Sequence, residues 1–386
     1  MKTFLKILAG LLLAGGLFMF AFYRTPQERA FTKNLKLAQA GDMDAALYVA
    51  QAYMDGTGTK PNAQQALNWY KQAASADKLQ AMWQLYQYYE KQGALEKEET
   101  QLQPDMQEQR QLALAYLQRA AQAGFAPAQE EMGNLYAQGK AMPKHAGQAL
   151  FWYIQAMQNG SATAQVKVET TASNDPALST DMQHFTETLQ AAQKDDPDAM
   201  LQTARAYRQG SPILQNQTEA LEWYQKAWDK SGHTLSQAAF ELADMYYKGE
   251  GTEPNDEKAS SFLAQAAELK NPQAQYLLGE YAYTDNPSRF EDAFAWFSNA
   301  AAQGHIKAQY MTGFMLLQGQ GTAKSVPLAI RFFEQAAEQN DPSAQYVLGQ
   351  IYLKGLGVRR SPRRGRAWLE RAVENGSEPA KQMLGI

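Results

Sequence analysis

The sequence predicts an all-α protein: an α-solenoid of about nine helix–turn–helix repeats behind an N-terminal membrane helix. Three observations predict it. The phrase ALNWYKQAA, starting at Ala66, returns as ALFWYIQAM from Ala149, ALEWYQKAW from Ala220 and AFAWFSNAA from Ala293. A second phrase runs ahead of it: AQYLLGEYAY from Ala274, AQYMTGFMLL from Ala308 and AQYVLGQIYL from Ala344, with looser forms from Ala128 and Ala238. The third is an apolar run over residues 7–23, ILAGLLLAGGLFMFAFY.

The apolar run is the first element. Lys2 and Lys6 precede it. As a helix it would span roughly 26 Å at ~1.5 Å per residue, close to the ~30 Å hydrocarbon core of a bilayer. A cleaved signal peptide would need small residues before the cut. Ala14 and Gly16 could serve, but that cut leaves LFMFAFY on the mature chain, and no good site follows Ala21. An uncleaved anchor within residues 1–24 is therefore the expectation, with a soluble cleaved form as the alternative. Arg24, Arg29, Lys33 and Lys36 follow the span, so the count of basic residues does not fix its orientation. A short basic start, an apolar run and a long polar body favour export. For a bacterial chain this predicts a single-pass inner-membrane protein with a periplasmic body.

A helix starts next. Thr25 can cap, Pro26 suits the first turn, and Glu28 completes a capping box. From there the chain is repetitive. The aromatic slot of the first phrase falls at Trp69, Tyr116, Trp152, Trp223, Phe262, Trp296, Phe332 and Trp368, with spacings of 47, 36, 71, 39, 34, 36 and 36. The spacing of 71 is close to two units, and the unit between would put Thr188 and Leu189 in the slot. Between the two phrases lie turns such as Gly56-Thr57-Gly58, Gly249-Glu250-Gly251, Gly319-Gln320-Gly321 and Gly355-Leu356-Gly357. Glycine after an apolar-periodic run ends a helix. Each unit thus reads as helix, glycine turn, helix, short link.

The phrases recur because of packing. Ala66, Trp69, Tyr70 and Ala73 stand at i, i+3, i+4 and i+7, one face of a helix. Alanines let a neighbouring helix approach, and the aromatics fill the space beside them. In the partner helix Ala274, Leu278 and Ala282 form the stripe and Gly279 relieves crowding. One helix pair cannot bury such faces alone, whereas stacked pairs can. The expected organisation is an N-terminal arm over 25–160, a degenerate repeat acting as a hinge over 161–195, and a C-terminal arm over 196–386. A closing half-repeat, EPAKQMLGI, would place Ala380, Leu384 and Gly385 in a capping helix.

The pattern A-x-x-x-L-G-x-x-Y, a G-x-G turn, A-x-x-W-Y-x-x-A-A and a closing turn such as Gln303-Gly304-His305 resembles the Sel-one-like repeat family, relatives of the tetratricopeptide repeats. The resemblance covers nearly all of residues 27–386. It implies a right-handed α-solenoid acting as a protein-interaction scaffold. Tyr86 departs from it, standing where the family has a small residue, and residues 94–110 insert into the second unit. By analogy with tetratricopeptide arrays, the first helix of each unit would line an inner face, with Tyr276, Glu280, Tyr310 and Tyr346 as contact residues.

Composition excludes much chemistry. Against 36 basic residues stand 40 acidic ones, so no general field attracts nucleic acid. There is no cysteine, hence no disulfide framework, iron–sulfur site or Cys nucleophile. It also lacks the Cys pairs of those family members linked to β-lactam-like compounds. The four histidines, His145, His184, His233 and His305, are far apart and form no metal-binding motif. His233 and His305 share the link after a second helix, which argues for a structural role. No phosphate loop or nucleophile elbow occurs, and no cofactor is implied. The acidic insert holds Glu96, Glu98, Glu99, Asp105 and Glu108 beside Lys97 and Arg110, and reads as a solvated helix extension.

The sharpest cluster is RRSPRRGR: Arg359, Arg360, Arg363, Arg364 and Arg366. Its guanidinium groups could hold a polyanion or an acidic protein through forked hydrogen bonds. The expected function is a non-enzymatic protein-binding scaffold of the bacterial cell envelope. The alternatives are a protein that binds or hydrolyses cell-wall fragments, and a regulatory adaptor facing the cytoplasm.

Overall fold

The computed structural model describes residues 24–93, 95, 103–285 and 289–386. Among them are twenty α-helices and no strand. A leading helix α1 (Pro26–Gln39) precedes nine pairs. These are α2 (Met43–Asp55) with α3 (Ala63–Ser75), α4 (Leu79–Lys91) with α5 (Pro104–Gln122), and α6 (Ala126–Gln138) with α7 (Ala146–Gln158). Then come α8 (Ala162–Asn174) with α9 (Pro176–Ala192), α10 (Pro197–Gln209) with α11 (Gln217–Lys230), and α12 (Ser236–Lys248) with α13 (Asp256–Glu268). The last are α14 (Pro272–Asp285) with α15 (Phe290–Ala302), α16 (Ile306–Gln318) with α17 (Val326–Glu338), and α18 (Pro342–Lys354) with α19 (Pro362–Glu374); a short α20 (Glu378–Leu384) closes the series. The chain is an all-α solenoid of helix–turn–helix repeats. The first helix of each pair is called A below and the second B.

Local chemistry sets the ends. The Thr25–Glu28 capping box forms as read: Glu28 N donates to Thr25 Oγ1 at 3.1 Å and Thr25 N to Glu28 Oε2 at 2.8 Å. Asn62, Asn216 and Asn255 cap B helices; Asp42, Asp196 and Asp341 cap A helices. Each side chain accepts an N–H that the first turn leaves free. The two glycines of the turn do different work. Gly319 stops α16 in the left-handed region at φ 74°. Gly321 lets the turn approach the preceding unit, since a Cβ there would lie 1.9 Å from the Phe290 carbonyl oxygen at the start of α15.

The core is repeated rather than central. In four B helices the residue after the aromatic marker is the buried one: Tyr70, Tyr224, Phe297 and Phe333 are at most 2 % exposed, whereas the marker Trp152 is itself buried and Leu263 is half-buried. Markers Trp69, Trp223, Trp296, Phe332 and Trp368 are half-buried. Where the A helix carries a glycine, a B-helix ring or Leu side chain of the same pair fills the space it leaves. A Cβ on Gly133, Gly279 or Gly349 would meet Tyr153, Phe297 or Leu369 at 2.5–2.7 Å. Tyr86, the departure, is fully buried, stacks on Trp83 and donates its hydroxyl to Glu131 Oε1 of the next A helix at 2.8 Å.

A buried glutamine ties units together. Gln129, Gln275, Gln309 and Gln345 are at most 5 % exposed. Each donates Nε2 to a carbonyl at the end of the preceding B helix: those of Ala121, Ala267, Ala301 and Ala337. Each Oε1 accepts from an amide at the end of its own unit's B helix: Asn159, Gln303, Gln339 and Asn375. One side chain thus joins three helices and occupies a carbonyl that helix ends leave partly unsatisfied.

The chain divides into two compact units, one of residues up to Gln183 with Pro212–Leu214, the other of His184–Ser211 and Gln215–Ile386. In the first, Ile213 is 1 % exposed and Leu214 N donates to Gln148 Oε1 at 3.1 Å. The segment read as a degenerate repeat forms the helices α8 and α9; it has no Trp–Tyr pair, and Ala164, Met182, Phe185 and Leu189 are among its buried residues.

The expectation of a single-pass inner-membrane protein with a periplasmic body is overturned. No helix among the described residues is long and apolar enough to cross a membrane. Most have 13 residues, or about 20 Å, and α5, with 19, carries Asp105, Glu108, Arg110 and Arg119. The apolar run over 7–23 lies outside the described residues, as do the first 23 positions altogether and residues 96–102 of the acidic insert.

Candidate interaction surfaces

The nominated A-helix residues are placed differently from one another. Glu280 is exposed. Tyr276 is 8 % exposed and therefore not a free contact residue. Its ring stacks on His305 at 4.6 Å and its hydroxyl donates to Glu280 Oε1 at 2.6 Å. Burial, then Glu280, pushes its pKa well above the ordinary phenol value. Tyr310 and Tyr346 are half-buried. Tyr310 packs toward Phe333 and Phe314, while Tyr346 accepts from Gln350 Nε2 at 2.7 Å.

The sequence did not single out Tyr247 and Tyr281, which are 62 % and 57 % exposed. Both lie on A helices, α12 and α14. Tyr281 occupies the register of Met245, Met315 and Ile351, all at most 1 % exposed. Periodicity alone therefore assigns it to the core, and only the structure places it in solvent.

Two polar clusters join A helices. In the second unit Arg208 of α10 donates Nη1 to Glu241 Oε2 at 2.6 Å and Nε to Glu250 Oε2 at 2.7 Å, and Nη2 also meets Asp244. Burial pushes Asp244 up, but Lys248 and Arg208 outweigh it and hold its carboxyl below the usual range. In the first unit Glu130 accepts from Ser161 and Thr163 hydroxyls at 2.6 Å and from Lys167 Nζ at 2.7 Å. Burial raises Glu130 as well, and these hydrogen bonds again win. Both clusters are internally satisfied, so they read as struts between successive A helices. The histidines follow suit: His145 and His305 cap helices through Nδ1, and His233 stacks on Trp228. Burial, then Lys307, holds His305 below its ordinary pKa. Among the described residues no group of three or more His, Asp or Glu could hold a metal ion.

The five arginines of the C-terminal cluster sit where the repeat frame puts them, at the α18–α19 turn and on the first turns of α19, all exposed. They do not converge on one point. Arg360 Nε donates to the Leu353 carbonyl at 2.9 Å, Arg364 lies over the Tyr352 ring at 5.7 Å, and Arg366 pairs with Glu370 at 3.0 Å.

The sequence of these helix pairs is matched by the model of the Sel1 repeat at residues 44–78, 103–125, 126–161, 197–230 and 342–377. The chain carries Sel1 repeats. A model of plant tetratrico peptide repeats matches residues 251–327 of the same Sel1-repeat array. A curated relative, the chitin synthase regulator SKT5 of Saccharomyces cerevisiae, is 28 % identical over 269 residues, covering 66 % of this chain. The chain spans only 37 % of that relative's length. Among solved structures, a Sel1 repeat protein from Oxalobacter formigenes is 23 % identical with a TM-score of 0.46, over 92 % of this chain and 90 % of that one. The protective antigen c5321 of uropathogenic Escherichia coli, described as an SLR fold, is 24 % identical with a TM-score of 0.41, over 92 % and 89 %. Sel1-repeat proteins serve as protein-interaction scaffolds.

Proposed function

We propose that this protein is a non-enzymatic adaptor that regulates a partner protein by holding it on the A-helix faces of its second unit. The observation that carries this reading is the exposure of Tyr247 and Tyr281 on consecutive A helices. Large aromatic rings left in water, beside the exposed Glu280, are the residue types that anchor protein interfaces. The name of the yeast relative, a regulator of an enzyme, supports a regulatory role.

The test is site-specific photocrosslinking in the source cell. A benzophenone amino acid is placed at Tyr247, Tyr281 and Glu280, and as controls at Glu222 and Glu257 on B helices. The expected result is one shared crosslinked protein from the three A-helix sites and none from the controls. Equal crosslinking from both sets would overturn the reading.

A further inference from the structure

We propose that the α18–α19 edge is a second docking site, one that takes an acidic peptide segment of a partner protein. This rests on the adaptor reading and names a chemistry for one of its contacts. Within an acidic chain of net charge −4, five arginines fall between positions 359 and 366. Arg366 is paired with Glu370, but Arg359, Arg360, Arg363 and Arg364 have no carboxylate within 4.0 Å among the described residues. Elsewhere Arg119, Arg205, Arg208 and Arg289 each meet at least one, and Arg24, Arg29, Arg331 and Arg371, like the four at this edge, meet none among the described residues; only here do several such charges stand together in one turn. The edge therefore carries four guanidinium charges that the fold does not neutralise.

Two of the four are held in place. Arg360 is fixed by the Leu353 carbonyl, and Arg364 lies on the Tyr352 ring, whose hydroxyl is itself bonded to Glu334 at 3.2 Å. Fixing the donors beforehand lowers the ordering cost of binding. The start of α19, capped by Ser361, adds its partial positive charge at the same place. Forked guanidinium groups match carboxylates in pairs.

The partner's class follows from what surrounds the charges. Nucleic-acid binding of single strands relies on aromatic faces open to bases. Here Tyr352 carries Arg364 and Trp368 carries Arg371 at 4.7 Å, so both rings already have cations over them. Leu356, 45 % exposed in the same turn, is a single apolar foothold. It suits one apolar side chain of a peptide and is too little to insert into a bilayer.

The experiment measures fluorescence anisotropy of fluorescein-labelled hexaglutamate with the full chain. The comparison is with Arg359→Ala/Arg363→Ala, two exposed positions that hold nothing in the fold, and with Arg359→Lys/Arg363→Lys. The expected result is saturable binding that weakens with salt, is at least about tenfold weaker in the alanine variant, and is partly retained with lysine. Wild type that fails to bind hexaglutamate, or an alanine variant that binds equally well, overturns the proposal. So do single-stranded oligothymidylate or phosphatidylserine vesicles that bind more tightly than the peptide and are lost in the same variant. Failure of the A-helix crosslinks with hexaglutamate binding intact would remove the adaptor surface and leave the anion site standing. Intact crosslinks without hexaglutamate binding would do the reverse.

Discussion

Arg208→Met removes the central cation of the strut that joins α10 to α12. The guanidinium is 17 % exposed, and its partners Glu241, Asp244 and Glu250 are 16 %, 29 % and 23 % exposed. Deleting one partner of a fully buried pair costs about 3–5 kcal/mol, and an exposed pair contributes about 0–1 kcal/mol. These side chains are about four-fifths covered and three carboxylates lose the guanidinium together, although Arg205 stays 3.9 Å from Glu241. Lys248 still holds Asp244 at 2.8 Å, which limits the loss. The expected cost is about 2–3 kcal/mol at neutral pH. Its pH dependence has a definite sign. The folded Asp244 pKa is depressed, so its contribution is present above the ordinary carboxylate value and is lost as pH falls through the folded one. In the variant the carboxylates crowd without the guanidinium and gain from protonation. The gap between wild type and variant must therefore shrink below about pH 4. Urea unfolding followed by far-UV circular dichroism and by tryptophan fluorescence, which Trp223 and Trp228 contribute from the same unit, measures both. A change within about 0.5 kcal/mol at neutral pH, or a gap that widens in acid, would refute the reasoning.

Three further outcomes follow from the packing. Gly279→Ala puts a Cβ 2.7 Å from the Phe297 ring. The clash costs about 1–3 kcal/mol and helix propensity returns up to ~1 kcal/mol, so a net loss is expected in urea melts. Gln345→Leu severs the bonds to the Ala337 carbonyl and the Asn375 amide and should lower stability by about 1–2 kcal/mol. Unchanged protection of the α17 and α19 ends in hydrogen exchange would count against it. Thr203 and Thr312 bury hydroxyls that have no partner among the described residues. Replacing either by Val should raise the melting temperature, with about 1 kcal/mol gained; a loss would mean the hydroxyl is satisfied by water.

Much of this was legible in the residues. The second phrase carries Gln275, Gln309 and Gln345 after its alanine, and the links carry Gln303, Gln339 and Asn375 at matching distance. The latch between them could have been found from that spacing, because both members recur. The markers Trp69 and Trp296 were read with their neighbours as one buried pair, yet only Tyr70 and Phe297 are fully enclosed. Which of two adjacent residues turns inward is set by how the next unit is rotated, and the helical period alone does not fix that. Tyr276, a contact residue by repeat analogy, instead supports His305 by stacking on its ring.

The sequence by itself determined that this chain is a series of helix pairs, that Thr25 opens the first of them, that glycine turns part the two helices of several pairs, and that neighbours must stack. These follow from caps, left-handed glycines and a 3.6-residue stripe, all read within a few residues of one another. Only the tertiary structure decided that Arg208 meets three carboxylates 33 to 42 residues away, that Tyr281 leaves the core its register predicts, and that four arginines at the α18–α19 edge go unneutralised. Those outcomes depend on the distance and rotation between successive units. That geometry is the sum of many side-chain volumes across an interface, and no local stretch of residues encodes it.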